Sequence, residues 1–332
     1  MKVLFIGGTG IISSACSELA VKKGIELYHL NRGNAIRTVP DSVQTIIGDI
    51  RDKQSIKKQL DGKNFDVVVD WIAYTQEHIE TDIEIFKDHV EQYIFISSAS
   101  AYQTPPTKLP VTENTPLENP FWAYSRGKID CEKKLMQVYE ADNFPITIVR
   151  PSHTYDKMTL PLQGRYTAVS RMRKGKEVIV HDDGSSIWVI THHKDFAIGF
   201  VGLLGNKKAI GEAFHITSDE LLTWNQIFNA VAEAAGTEAK KIYIPSEVIN
   251  KYDSEWGAGL LGDKSHSMIF DNSKIKNLVP EFNARIPFNQ GAQEIMNWFD
   301  ADPARKVIDE SLDKLMDEMI TAYGNKLYLE TK

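Results

Sequence analysis

Short apolar runs punctuate the first half of the chain at regular intervals. Val3–Ile6, Glu26–Leu30, Val43–Ile47, Val67–Asp70, Tyr93–Ile96 and Pro145–Val149 each hold four to six mostly apolar residues. Between them lie stretches with helical spacing at Ser13–Lys23, Ser55–Leu60, Ile79–Asp88 and from Ala123 to about Tyr139. Strands that are apolar throughout, alternating with helices, predict a parallel sheet covered on both faces. The expected fold class is therefore α/β, a Rossmann doubly wound parallel sheet, with ligands at the carboxyl ends of the strands.

After Arg150-Pro151 the rhythm changes. A basic helical piece (Arg165–Lys174), a strand (Val178–His181), helices at Phe196–Leu204 and Trp224–Ala235 and a strand at Phe214–Thr217 are expected there. Residues 240–300 read as irregular, and Ala304–Tyr323 as a polar amphipathic helix with a wet charged face. The expected division is a dinucleotide-binding domain over 1–155, to which elements near 190–235 return. Residues 156–332 form a smaller C-terminal substrate lobe with the last helices.

Composition narrows the function classes. With 42% hydrophobic and 25% charged residues the chain is ordinary globular material. A net charge of −7 disfavours non-specific nucleic-acid binding, so no nucleic-acid partner is expected. Cys16 and Cys131 are the only cysteines, and no Cys/His cluster has metal-ligand spacing, so no metal is expected. A reducing cytoplasm is the simplest home. No leader is visible, and no apolar run approaches the ~18 residues of a membrane span.

The chemistry starts at the first strand, which runs into Gly7-Gly8-Thr9-Gly10-Ile11-Ile12-Ser13. Glycines at a strand-to-helix turn let backbone N–H groups approach a pyrophosphate at the helix N-terminus. The second strand ends in Asn31-Arg32-Gly33, where an acid would hold the ribose 2′-hydroxyl of NAD. An arginine there, with Arg37 nearby, suits a 2′-phosphate, so NADP is preferred over NAD. Arg32 stacked on adenine would admit either cofactor. Asp49, in Gly48-Asp49-Ile50, is placed to accept from the adenine amino group or to close a turn.

The fifth strand ends in Ser97-Ser98-Ala99-Ser100-Ala101-Tyr102, and Tyr124-Ser125-Arg126-Gly127-Lys128 follows. The i, i+4 spacing puts Tyr124 and Lys128 on one helix face. An ammonium beside a phenol stabilises the phenolate, which can take a proton from a hydroxyl, and a strand-end serine can hold the substrate oxygen.

Together these segments, with Arg150-Pro151, Phe214-His215-Ile216-Thr217 and Leu222-Thr223-Trp224, resemble the extended short-chain dehydrogenase/reductases of the NAD-dependent epimerase/dehydratase family, UDP-galactose epimerase among them. Asn31-Arg32-Gly33 and Gly48-Asp49-Ile50-Arg51-Asp52 are similar to bacterial members and to plastid RNA-binding relatives. The resemblance implies Tyr124 as base, Lys128 on the nicotinamide ribose and tuning Tyr124, and Ser98 on the reacting oxygen. It also implies a homodimer through a helix bundle that includes the Tyr124 helix. Carried along the strand ends, it adds Ile50, Ile72, Ala73 and Ser152 to the cofactor contacts and Ser100 to the substrate contacts.

Three departures redirect the substrate. Ala99 and Ser100 stand where 4,6-dehydratases carry an Asp-Glu pair. His153 replaces the asparagine of Arg-Pro-x-Asn, where a neutral imidazole still donates one bond or simply packs. Trp188 replaces a phosphate-gripping arginine, offering a plate for a sugar ring or a core side chain. Arg165, Arg171 and Arg173 are the available compensators for a diphosphate. The expected activity is an NAD(P)-dependent oxidoreductase or epimerase acting on a secondary hydroxyl of a sugar-like small molecule. Two alternatives stand beside it: a nucleotide-sugar epimerase proper, and a non-catalytic cofactor- or RNA-binding relative.

Overall fold

In the computed structural model, which describes residues 1–35 and 37–330 with side chains to Tyr323, the first half builds one sheet. In chain order its elements are β1 (Lys2–Ile6), α1 (Ile11–Lys22), β2 (Glu26–Asn31), β3 (Gln44–Ile47), α2 (Lys53–Leu60), β4 (Val67–Asp70), α3 (Gln76–Phe86), β5 (Gln92–Ile96), α4 (Ala123–Asp142) and β6 (Ile146–Pro151). The remainder holds β7 (His153–Tyr155), α5 (Tyr166–Arg173), β8 (Glu177–His181), β9 (Ile187–Trp188), β10 (Ile190–His192), α6 (His193–Val201), β11 (Glu212–Ile216), β12 (Leu222–Thr223), α7 (Trp224–Ala234), β13 (Lys240–Ile244), α8 (Ser246–Tyr252), α9 (Ser254–Gly259), α10 (Ser273–Leu278), α11 (Phe288–Asp300) and α12 (Glu310–Glu330).

Seven strands run in the order β11-β6-β5-β4-β1-β2-β3, each pair parallel. The alternation within β1 explains the two layers. Val3 and Phe5 belong to the core shared with α1 and α6. Leu4 and Ile6 belong to the opposite core, with Cys131 and Leu135 of α4. All four are fully buried, each side chain contributing about 1.5–3 kcal/mol of apolar burial. The strand order reverses between β1 and β4, so their carboxyl ends open a crevice at the switch point.

The chain beyond β6 splits. β11 pairs with β6, and α6 lies on α1, so both extend the sheet domain. α5, α7 and α11 form a separate core around Trp188, Trp224, Ile227 and Phe299. The expectation of irregular structure over 240–300 is corrected. β13 pairs in parallel with β8, and α8, α9, a π-helical turn Leu260–Lys264, α10 and α11 follow. Helices of six or seven residues are too short to show a period. α11 shows one, with Phe288, Ala292, Ile295, Met296 and Phe299 buried along one face. Among the described residues no helix is long and apolar enough to cross a membrane.

Candidate active site

The cofactor half of the site is set by glycine at two positions. Gly7 and Gly8 have φ of +106° and +79°, a region costly for other residues. A Cβ on Gly8 would stand 2.7 Å from the His29 ring, and one on Gly7 would stand 3.0 Å from Ile72. Ser13 accepts from the Gly10 N–H at 2.7 Å. The turn and the first residues of α1, Thr9, Gly10, Ile11 and Ile12, border a cavity of about 630 Å³. A second cavity of about 480 Å³ lies between Gly7 and Thr9 on one side and Asn31, Arg32, Asp49, Ile50 and Ile72 on the other. The two glycines, the helix N-terminus and these two adjoining spaces fit a dinucleotide laid along the strand ends.

Several expected cofactor residues also have partners within the fold. The Asn31 side chain accepts from the Gly33 N–H at 2.9 Å, and Asp49 accepts from the Arg51 N–H at 3.0 Å, so each also closes its own turn. Ala73 is fully buried, and it is its carbonyl that reaches the site, accepting from Lys128 at 2.7 Å. Arg37 does not join Arg32. Its guanidinium donates to Asp156 at 2.6 Å and to Thr159 at 2.9 Å, tying the loop after β2 to the segment after β7. An ion pair so committed is not free for a phosphate.

The catalytic half meets the glycine turn in the 630 Å³ cavity, which Ser98, Ser100, Tyr124 and Lys128 all border. Their positions follow from close packing. Gly127 lets α4 lie against the loop after β4, where a Cβ would come within 2.6 Å of the Tyr74 carbonyl. Lys128, one residue on, is buried and donates to the carbonyls of Ala73 and Ile96, each at 2.7 Å. Two of its three N–H bonds are thereby used. Its ammonium lies 5.8 Å from the Tyr124 ring and 4.5 Å from the Tyr74 ring. Burial lowers the Lys128 pKa to about 8. Burial raises that of the Tyr124 phenol, Tyr74 and the Asp263 charge raise it further, and the Ser98 hydroxyl pulls it down. Ser98 and Ser100 hydroxyls meet at 2.9 Å, and Ser125 donates to Ser100 at 2.8 Å, so Ser100 orients Ser98 as well as bordering the cavity.

On the substrate side, Ser152, His153 and Trp188 border the same cavity. The Ser152 and Thr191 hydroxyls meet at 2.8 Å. Burial, and then the Lys264 charge, lower the His153 pKa to about 3, leaving a neutral imidazole. Trp188 is 2% exposed and belongs to the lobe's core, so little of it is open to the space. A third cavity of about 710 Å³ continues into the lobe, sharing Trp122, His153 and Lys264 with the catalytic one. Of the expected compensators only Arg165 borders it. Arg171 is bound to Asp313 and Asp317, and Arg173 to Asp300. Sequence reasoning missed Asn119 and Asp263. The structure brings Asp263 and Lys264 to the catalytic cavity, and Asn119, 2% exposed, lies directly behind it. The Gly-Asp-Lys run 262–264 carried no periodic signal.

Comparison with known proteins agrees with this geometry. A model described as the NAD dependent epimerase/dehydratase family matches residues 3–217. Among curated proteins, the chain is 28% identical over 262 residues to the chloroplast stem-loop binding protein of 41 kDa b of Arabidopsis thaliana, covering 74% of this chain and 67% of that one. It is 21% identical over 296 residues to the 2′-dehydrokanamycin reductase of Streptomyces kanamyceticus, covering 86% and 81%. Among solved structures, the UDP-glucose 4-epimerase of Bifidobacterium longum in complex with NAD+ and UDP aligns with a TM-score of 0.72 and 21% identity, over 91% of this chain and 99% of that one.

Proposed function

Because the chain belongs to the NAD dependent epimerase/dehydratase family, we propose that it is an oxidoreductase or epimerase that interconverts a secondary alcohol and a ketone on a sugar-like molecule that carries no nucleoside diphosphate. The observation that carries this reading is the meeting of Tyr124, Lys128 and Ser98 with the glycine turn in one cavity. With its pyrophosphate held at that turn, a nicotinamide dinucleotide would supply the hydride acceptor or donor. Ser98 donates to the substrate oxygen and holds it toward Tyr124. The phenol, kept protonated by burial, delivers its proton to a carbonyl. In the opposite direction the Lys128 ammonium and the Ser98 hydroxyl stabilise the phenolate that receives the proton. Lys128's remaining N–H is available to a ribose hydroxyl.

The reading of the cofactor is NADP, accepted at least as well as NAD. It rests on Asn31 where an acid would repel a 2′-phosphate and on Arg32 at the rim of the 480 Å³ cavity. The solved epimerase relative was obtained with NAD+.

The substrate class is argued from charge. A buried diphosphate needs cationic partners. Around the lobe cavity, Arg165 and Lys264 are outnumbered by Asp253, Glu255 and Asp309, while Trp122 and Trp256, partly exposed, offer flat apolar faces. Indole faces and a lining with no excess of positive charge suit a glycoside or polyol. The 2′-dehydrokanamycin reductase is a relative whose name describes a glycoside substrate of that kind. The test is a screen of neutral and amino glycosides, polyols and UDP-glucose with NAD+ and NADP+, on the unaltered protein and on Tyr124→Phe. Turnover of a glycoside or polyol, lost by more than about 100-fold in Tyr124→Phe with dinucleotide affinity kept, is expected. A thermal shift or turnover with UDP-glucose instead would return the protein to the nucleotide-sugar epimerases.

A further inference from the structure

The π-helical turn Leu260–Lys264 enters the site from the far lobe. Gly262 packs so tightly that a Cβ would stand 2.7 Å from Trp122 Cβ and 3.0 Å from Asn119 Oδ1. Asn119 is the fastening. Its Nδ2 donates to the carbonyls of Gly262 at 2.6 Å and Ser100 at 2.9 Å, and its Oδ1 accepts from the N–H groups of Phe121 and Trp122. One buried amide thus locks together the end of β5, the entry to α4 that carries Tyr124, and the π turn. The residue after Gly262 is thereby held at the catalytic cavity.

That residue is Asp263. Its side chain is 9% exposed, yet it borders the same space as Tyr124, Ser98 and Lys128. Its Oδ2 accepts from Lys264 Nζ at 3.3 Å, and among the described residues Oδ1 has no hydrogen-bond partner. Lys264 is itself shared with the Gly259 carbonyl at 3.4 Å and lies 5.6 Å from the Trp122 ring. Of the other polar groups at the cavity, Ser98 and Ser100 bond each other, Ser152 bonds Thr191, and Lys128 bonds two carbonyls, while Ser97 Oγ and Trp188 Nε1 have no partner among the described residues. Asp263 alone of these brings a carboxylate with about four acceptor positions. Its further donors are supplied by what occupies the cavity, water or a ligand. Its charge also repels an anionic group at that place.

We propose that Asp263, paired with Lys264, is the specificity determinant of the catalytic cavity, accepting hydrogen bonds from hydroxyl or ammonium groups of a non-anionic sugar ring whose secondary alcohol lies at Tyr124. The proposal rests on the reading of Tyr124, Lys128 and Ser98 as the site of alcohol–ketone exchange. Asp263 binds and orients, and it transfers no proton. Its charge also bears on the reaction indirectly. With Tyr74 it raises the Tyr124 phenol, against the pull of Ser98.

The test uses the full chain with NAD+ or NADP+ and methyl glycosides of neutral hexoses, of hexosamines and of hexuronic acids, read by initial rates and by calorimetric binding. For Asp263→Asn, KM is expected to rise about tenfold for the neutral glycosides and about 100-fold for the hexosaminides, which lose an ion pair. For the hexuronides KM falls or stays level. kcat with bound substrate and dinucleotide affinity are expected within about threefold of the parent. The acidic limb of the kcat/KM profile for oxidation moves to lower pH, because removing a negative charge eases ionisation of the Tyr124 phenol, the base in that direction. Lys264→Met, which leaves the carboxylate in place, reverses the sign: hexosaminides bind more tightly and hexuronides more weakly. That opposite shift carries the test if Asp263→Asn fails to fold. Unchanged KM values and pH limb in Asp263→Asn, with the parent turning over a glycoside, would overturn the proposal and leave the reading of Tyr124 standing. A parent that accepts hexuronides alone would overturn it as well. A parent that neither binds nor oxidises any member overturns the reading of Tyr124, and this proposal with it.

Discussion

Arg32 and Arg37 stand on one loop five positions apart, and the fold gives them unrelated work. Arg32 stays exposed at the rim of the cavity beside Asp49. Arg37 crosses to Asp156, a contact 119 residues away in sequence. Residue type and proximity in the chain told the two apart no better than Asp263 was told from any other loop aspartate. What was legible at this scale was local. The glycines of the turn and the i, i+4 pair of Tyr124 and Lys128 bring their geometry with them, because a turn and a helix fix it within a few residues. Groups whose role depends on the lobe docking against the sheet carry no such mark. The corrected placement concentrates the cofactor preference on Arg32. Arg32→Ala is expected to weaken NADP by about tenfold, the lower end of a charged hydrogen bond because the group is solvated, and NAD by less than about twofold. Fluorescence titration of the reduced cofactors checks this. Equal losses would make Arg32 an adenine-stacking residue.

At the scale of elements, the strands were readable because each central one is apolar on both faces, and β1 and β4 are buried almost throughout. The lobe was less readable because its order comes from pairing across the sequence. β13 is polar at its start and exists through its partner β8. The charges of 303–319, expected to be a wet face, are instead partly a clamp. Arg171, 2% exposed on α5, is bound by Asp313 and Asp317 of α12, and Lys176 by the same two. Arg171 also donates to the Glu177 and Asp313 carbonyls. Through Tyr323, α12 also packs Met316 and Met319, buried, and Leu312, Leu315, Ile320 and Tyr323, partly buried, onto the lobe, and this network adds to that attachment. Removing one partner of a buried pair costs about 3–5 kcal/mol. Asp317 is half exposed, which lowers the figure for Arg171→Ala to about 2–3 kcal/mol. Chemical denaturation checks it, with loss of α12 protection from hydrogen exchange preceding that of the sheet. An unchanged midpoint would mean that α12 is held by its apolar contacts.

Across the whole molecule, the same layering that hides apolar strands also hides imidazoles. His29 lies under the glycine turn against Ser17, at 2.8 Å. His153 lies at the junction of two cavities near Lys264, His181 beside Trp224 and the Lys264 carbonyl, and His193 beside His192 and Asp156. Burial lowers the pKa of His29, His181 and His193 to about 4, and that of His153 to about 3. The nearby carboxylates of Asp182, Asp183, Asp156 and Glu294 offset this only in part. These groups bind a proton more readily in the unfolded chain, whose histidines titrate near 6.5. Their contribution to stability is therefore complete above pH 6.5 and is lost as pH falls toward the folded values. Each histidine contributes a slope of about 1.4 kcal/mol per pH unit once the unfolded imidazole is protonated. The buried carboxyls of Asp82, Asp195 and Asp263, raised by burial, act with the opposite sign from the unfolded carboxyl range up to their folded values. The histidines are the more numerous group and set the sign of the net slope between pH 6.5 and 5. Denaturation at pH 7, 6 and 5 is expected to show stability falling in that interval, with net proton uptake on unfolding. His29→Gln should reduce that uptake by about one. A flat stability curve from pH 7 to 5 would mean that these four rings are charged, and paired, in the folded protein.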